Sequence, residues 1–96
     1  MRRVVPLPFP ADPLTRDAPA LGAAIRAART RARLTRADAA LSLGIAADTL
    51  ADLERGKPTV ALGTALAVAT ALGISVFIAP ADQRERVRSL IKSLPP

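Results

Sequence analysis

Apolar positions recur at helical spacing over most of the chain, and the period changes only near its end. Leu21, Ala24, Ile25, Ala28 and Ala32 fall three and four apart and predict a helix over about 20–32, with Arg26, Arg29 and Arg33 off the buried stripe. Thr35, with Asp38 three residues on, is a capping-box variant, so a second helix starts there and runs to about Leu43. Ala39, Ala40 and Leu43 point inward from it. Gly44 tolerates the positive φ of a sharp turn, and Ile45 plugs the gap behind it. A third helix over about 47–55 faces Leu50 and Leu53 to the core and stops at Gly56 and Pro58. A fourth, over about 62–72, turns Leu62, Leu66, Ala69 and Leu72 inward and ends at Gly73.

Ile74-Ser75-Val76-Phe77-Ile78 is β-branched and aromatic, and short enough for a strand. The chain offers it no partner except a short strand over 2–5. An apolar edge left open is a liability, and its simplest cover is the same strand from a second copy, antiparallel across a two-fold axis. Asp82 and Glu85 then open a last helix over 82–94. Its stripe is Val87, Leu90, Ile91 and Leu94, with Arg84, Arg88 and Lys92 mostly away from it. Such a helix packs on its own domain or on the dimer mate, the preferred reading, or docks a different protein.

Before the first helix, Pro6, Pro8, Pro10, Pro13 and Pro19 hold residues 1–19 as an extended arm. The reading preferred here is a mobile tail. The alternative is that Arg2 and Arg3 reach a phosphate or a minor groove. The expected organisation is therefore an arm over 1–19, a helical domain over 20–73, a dimerisation strand over 74–79 and an amphipathic helix over 80–96.

Composition narrows the chemistry. A chain of 96 residues with 50% hydrophobic residues but only 2% aromatic ones must build its core from Ala, Leu, Ile and Val, which suits close-packed helices. The formal charge of +6 favours a polyanionic partner. Without Cys or His there are no disulfides, no thiolate or imidazole metal ligands and no nucleophile–imidazole catalysis. No cofactor and no metal are expected. No apolar run is long enough for a membrane span, and prolines interrupt what would be the core of a signal peptide, so a cytoplasmic protein is expected. Any enzyme would have to run on carboxylates, Lys or hydroxyls; Asp48, Asp52 and Glu54 suggest a carboxylate site, and it is a poor one because Glu54 sits at a helix end. The protein is expected not to be an enzyme, with no catalytic residues.

The spacing of the second and third helices is that of a helix-turn-helix, which presents one helix to the DNA major groove while its partner leans on the backbone. Ile25-Arg26-x-x-Arg29, Leu34-Thr35, Ala39-Ala40, Gly44-Ile45, Leu50-x-x-Leu53-Glu54-x-Gly56 and Ala71-Leu72-Gly73 together resemble the Cro and lambda-repressor type of helix-turn-helix, the Xre family. Glu54-Arg55-Gly56-Lys57-Pro58-Thr59-Val60 and the strand after Gly73 are similar to HipB-type antitoxins, the DNA-binding partners of kinase toxins. The resemblance implies an all-α, lambda-repressor-like domain of four to five helices whose short C-terminal strand, through Ile74, Val76, Phe77 and Ile78, pairs across a homodimer. It implies double-stranded DNA as ligand, a transcriptional repressor or antitoxin as function, and a cognate toxin as a further partner. It also puts Ala46, Ala47, Asp48, Thr49 and Asp52 on the reading face, and leaves Arg33, Arg36, Arg55 and Lys57 as phosphate contacts.

The chain departs from that pattern in places. Arg36 stands where the family has Gln, and a guanidinium can still clamp a phosphate there. Ala46 and Ala61 replace the usual Ser or Thr caps, each at about 1 kcal/mol. Asp48 and Asp52 put carboxylates where a polyanion would approach, so a protein-interaction subunit with weak or lost DNA binding is the competing expectation.

Overall fold

The structure is a computed structural model that describes residues 3–95. Five α-helices follow in order: α1 (Ala18–Arg31), α2 (Arg36–Leu43), α3 (Ala47–Glu54), α4 (Leu62–Ala71) and α5 (Arg84–Lys92), with a 3-10 turn at Ala81–Gln83 before the last. α1 starts earlier than the apolar stripe suggests. Asp17 caps it by accepting the Ala20 N–H at 2.9 Å, and Pro19 fits inside the first turn, where its missing N–H costs nothing. Thr35 caps α2 through the Asp38 N–H at 3.1 Å, as the capping pattern predicts.

Each of α1 to α4 closes the same way. A left-handed residue follows the helix, and the next N–H reaches back to a carbonyl one turn inside: Leu34 to Arg29, Ile45 to Ala40, Lys57 to Asp52 and Ile74 to Ala69. Glycine holds the left-handed place after α2, α3 and α4. After α1 it is Arg33, with φ 62°.

The core lies between α1, α2, α3 and α4. It contains Ile25, Ala39, Ala40, Leu50, Leu53, Ala65, Val68 and Ala69, with Leu21, Leu34, Leu43, Ile45, Leu72 and Ile74 packed round it. α1 crosses α3 closely because Gly22 faces the Leu53 and Glu54 carbonyls, where a Cβ would have no room. On α4 the buried residues are Ala65, Val68 and Ala69, while Leu62 and Leu66 are exposed, so the inner face is rotated from the expected one. Ala32, expected on the buried stripe of α1, is exposed as well.

No strand forms among the described residues. Residues 74–79 are irregular, and the expected strand over 74–78 is absent in the single chain. The physical reason is that a strand exists only through the ladder it makes, and this chain supplies no neighbour. Ile74 anchors on the core, but Val76, Phe77 and Ile78 are exposed. The companion strand expected over 2–5 is also missing over residues 3–5; Arg2 lies outside the described residues. α5 is shorter than expected, Asp82 makes no cap hydrogen bond, and none of the helix's residues is buried.

The proline-rich arm is not a free tail. Residues 3–14 lie along α1 as a strap. The Leu7 N–H donates to Thr30 Oγ1 at 2.9 Å, Arg33 Nη1 donates to the Val4 carbonyl at 2.9 Å, and the Arg31 guanidinium lies 5.1 Å from the Phe9 ring centre. Ala27 and Thr30 are buried on α1 yet lie outside the core cluster.

Candidate nucleic-acid interface

α2 and α3 are joined by Gly44–Ala46. Gly44 sits at φ 70° and ψ 31°, and Ile45 closes the corner by donating to the Ala40 carbonyl and packing on the core. Leu50 is fully buried and Leu53 nearly so, which fixes the rotation of α3 about its axis. The opposite face, with Ala46, Ala47 and Asp48, is exposed, and Thr49 and Asp52 are half-buried. No cap hydrogen bond holds Ala46, so the start of α3 has unsatisfied N–H groups open to solvent.

The back of α3 is held by a charge pair that the apolar pattern misses. Arg29, expected off the buried stripe, is buried. Its Nε donates to Glu54 Oε2 at 2.6 Å, its Nη2 to Glu54 Oε1 at 2.9 Å, and its Nη1 to the Leu34 carbonyl at 2.9 Å. Arg36 Nη2 approaches the same carboxylate at 3.4 Å. Glu54 therefore ties α3 to α1 and to the first turn of α2, and every buried side-chain polar atom among the described residues is satisfied. A signal for the pair is present in the sequence: Arg29 follows Ile25, and Glu54 follows Leu50, by one helical turn. Opposite charges thus occupy two buried faces that must meet.

The four phosphate candidates fall into different situations. Arg36 is half-exposed at the N-terminus of α2, and only part of its donor fork is engaged with Glu54. Arg55 and Lys57 are exposed at the end of α3 and gather on Asp52, Arg55 by a hydrogen bond and Lys57 at 3.5 Å. Asp52 is consequently compensated by its own neighbours. Asp48 has no ion-pair partner among the described residues and lies in the first turn of α3, where the helix dipole favours an anion. Arg33 is exposed and donates from one Nη to the Val4 carbonyl of the strap, so the rest of its donor fork is open, and its own backbone is left-handed.

Two further charged residues meet away from α3. Arg88 of α5 makes a two-pronged contact to Asp12 of the strap and also bonds Glu85 at 2.9 Å. The Arg88 guanidinium and the Leu14 N–H hold the Asp12 carboxyl well below the usual carboxylate range, and the pair pushes Arg88 upward. A contact between residues so far apart in sequence leaves no local trace.

Among the described residues no group of His, Cys, Asp or Glu is arranged to hold a metal ion, and no helix is long and apolar enough to cross a membrane. A helix-turn-helix domain family model matches residues 20–77. No curated protein matches the chain. Two solved structures are similar in fold. One is a HipB variant in an O2 20-mer complex, with a TM-score of 0.63 and 22% identity, covering 71% of this chain and 94% of that one. The other is a HipB–O4 20-mer complex, with a TM-score of 0.63 and 20% identity, covering 71% of this chain and 96% of that one.

Proposed function

The chain belongs to the helix-turn-helix domain family, and from that premise we propose that it is a dimeric, sequence-specific DNA-binding repressor that serves as the antitoxin of a toxin–antitoxin operon. The observation that carries this reading is the buried Arg29–Glu54 pair with its Arg36 branch. It locks the back of α3 and the start of α2 to α1 while the opposite face of α3 stays open. In this reading α3 enters the major groove. Ala46 and Ala47 meet thymine methyls, Thr49 and Asp48 approach base edges, and Asp52 holds Arg55 and Lys57 toward the backbone. Arg36 and the N–H groups at the start of α2 clamp a neighbouring phosphate. The likeness to HipB–DNA complexes supports the antitoxin assignment.

A single helix-turn-helix reads one half-site, and a dimer of the motif reads two. The exposed run Val76-Phe77-Ile78, with Ile78 97% exposed, supports a dimer in which Ile74, Val76, Phe77 and Ile78 of two copies pair antiparallel. Two third helices then fall about 34 Å apart in successive grooves of a palindrome. The test combines sedimentation with footprinting of the DNA upstream of the chain's own gene across a salt series. The expected result is a dimer that protects two half-sites one helical turn apart, with affinity falling linearly in log salt.

The competing reading is a protein-interaction subunit with weak or lost DNA binding. Asp48, exposed and without a counter-charge on the reading face, favours it. An absence of protection even at low salt would select that reading.

A further inference from the structure

The strap is the part of the chain for which the helix-turn-helix reading has no use. It runs antiparallel to α1. Pro13 and Leu14 share a groove of about 510 Å³ with Leu21 and Ala24 near the start of the helix, Phe9 lies under Arg31, Leu7 is bound at Thr30, and Val4 is bound at Arg33. The basic end of the strap is thereby carried to the C-terminal end of α1, where Arg33 precedes the Leu34–Thr35 step from which α2 starts. Residues 3–11 contain no acidic side chain. Arg3 is exposed and has no carboxylate partner among the described residues. A loose tail would have to be ordered when DNA binds. A strap already fixed by hydrogen bonds from its backbone to the Thr30 and Arg33 side chains and by a cation–ring contact has met most of that entropic cost in folding.

From this arrangement we infer that the strap is a second DNA-contacting element, in which Arg3 meets backbone phosphates beside those held by Arg36 and the start of α2. The inference rests on the DNA reading above. Arg33 has a different task in it. Its guanidinium holds the Val4 carbonyl and so sets where Arg3 lies, which makes Arg33 and Thr30 positioning residues for the strap.

The experiment compares full-length variants by fluorescence anisotropy on a duplex of the chain's own upstream DNA, across a series of KCl concentrations. Arg3→Ala removes one phosphate contact per copy, so the log–log salt slope of a dimer becomes shallower by about 1.8. Arg16→Ala removes the same charge at the other end of α1. The helix has 14 residues, about 21 Å, which exceeds two Debye lengths of about 8 Å at physiological salt, so this slope is unchanged. Thr30→Val keeps the branched shape but withdraws the acceptor for the Leu7 N–H. It lowers the slope part of the way while Arg3 is still present. The inference is overturned if Arg3→Ala leaves the slope as it was, or if Arg3→Ala and Arg16→Ala change it equally. Failure of the unaltered protein to bind the duplex at any salt concentration overturns the DNA reading itself, and the strap's role with it.

Discussion

Glu54→Ala probes the joint on which the presentation of α3 depends. The Glu54 side chain is 2% exposed and that of Arg29 is 8% exposed. Removing the carboxylate takes away both Arg29–Glu54 hydrogen bonds and the Arg36 contact, leaving a buried guanidinium with the Leu34 carbonyl as its one protein acceptor. Deleting one member of a buried pair costs about 3–5 kcal/mol, because the other charge is left uncompensated. A small domain is stable by about 5–15 kcal/mol and loses about 4–8 °C of Tm per kcal/mol, so the melting point falls by at least about 12 °C. Replacing both residues, Arg29→Met with Glu54→Leu, removes the charges together and restores most of the loss. That double variant releases Arg36 from its tie, so it folds but binds DNA more weakly. The assay is circular dichroism melting at one fixed protomer concentration, since a dimer's Tm depends on concentration. A Glu54→Ala melt within a few degrees of the unaltered protein, or a double variant no more stable than the single, would refute the reasoning.

Three other outcomes are expected. Gly22→Ala destabilises despite the better helix propensity of Ala, because a Cβ there lies 2.7 Å from the Glu54 carbonyl oxygen and closer still to that of Leu53. Gly63→Ala, also in a helix but with nothing within 4 Å, stabilises by about 1 kcal/mol, and urea unfolding of the pair reads the opposite signs. Ala46→Ser and Ala61→Ser each supply a missing cap and raise stability by about 1 kcal/mol, additively because they serve different helices; unchanged thermal melts would show that neither start accepts a cap. Finally, Asp12 is held below its ordinary value of 3.8 by Arg88, so the folded state gains from the pair above that pH and loses the gain as pH falls below it. The protection factor of the α5 amides, which removes the intrinsic pH dependence of exchange, therefore falls as pH drops below that value, and in Arg88→Ala it is already low at neutral pH and does not change further.

What was legible in the chain follows the range of the interactions. Thr35, Gly44, Gly56 and Gly73 mark helix ends by local chemistry, and the structure puts each where its backbone preference is used. α4 reads LGTALAVATA, apolar nearly all round, so its pattern permits several inner faces, and packing against α1 to α3 selects Ala65, Val68 and Ala69. Arg29 and Arg88 look like solvated cations because their carboxylates lie far along the chain. The segment 74–78 has the residues of a strand, but a ladder needs a second edge that no periodicity within one chain can provide. The strap was hidden for a similar reason: prolines announce an extended chain but not the surface it lies on.

The charges around α3 bear on how such a protein would choose its site. Asp52 compensates Arg55 and Lys57 and keeps both at the end of the helix, away from Ala46 and Ala47 at its start. On the proposed reading, the residues nearest the bases are then small or weakly discriminating, and the cations meet phosphates. Thymine methyls suit Ala, but no bidentate pair to guanine or adenine is available from Ala46, Ala47 or Thr49. With Arg36, Arg55, Lys57 and the proposed Arg3 contact on phosphates in each of two copies, the salt slope is about seven and most of the affinity is sequence-independent. Discrimination must then come largely from what the duplex costs to deform between the half-sites, which no side chain touches. Base changes in the central spacer should therefore matter as much as changes under α3. A protein reading chiefly through the edges of its third helix would show the reverse order.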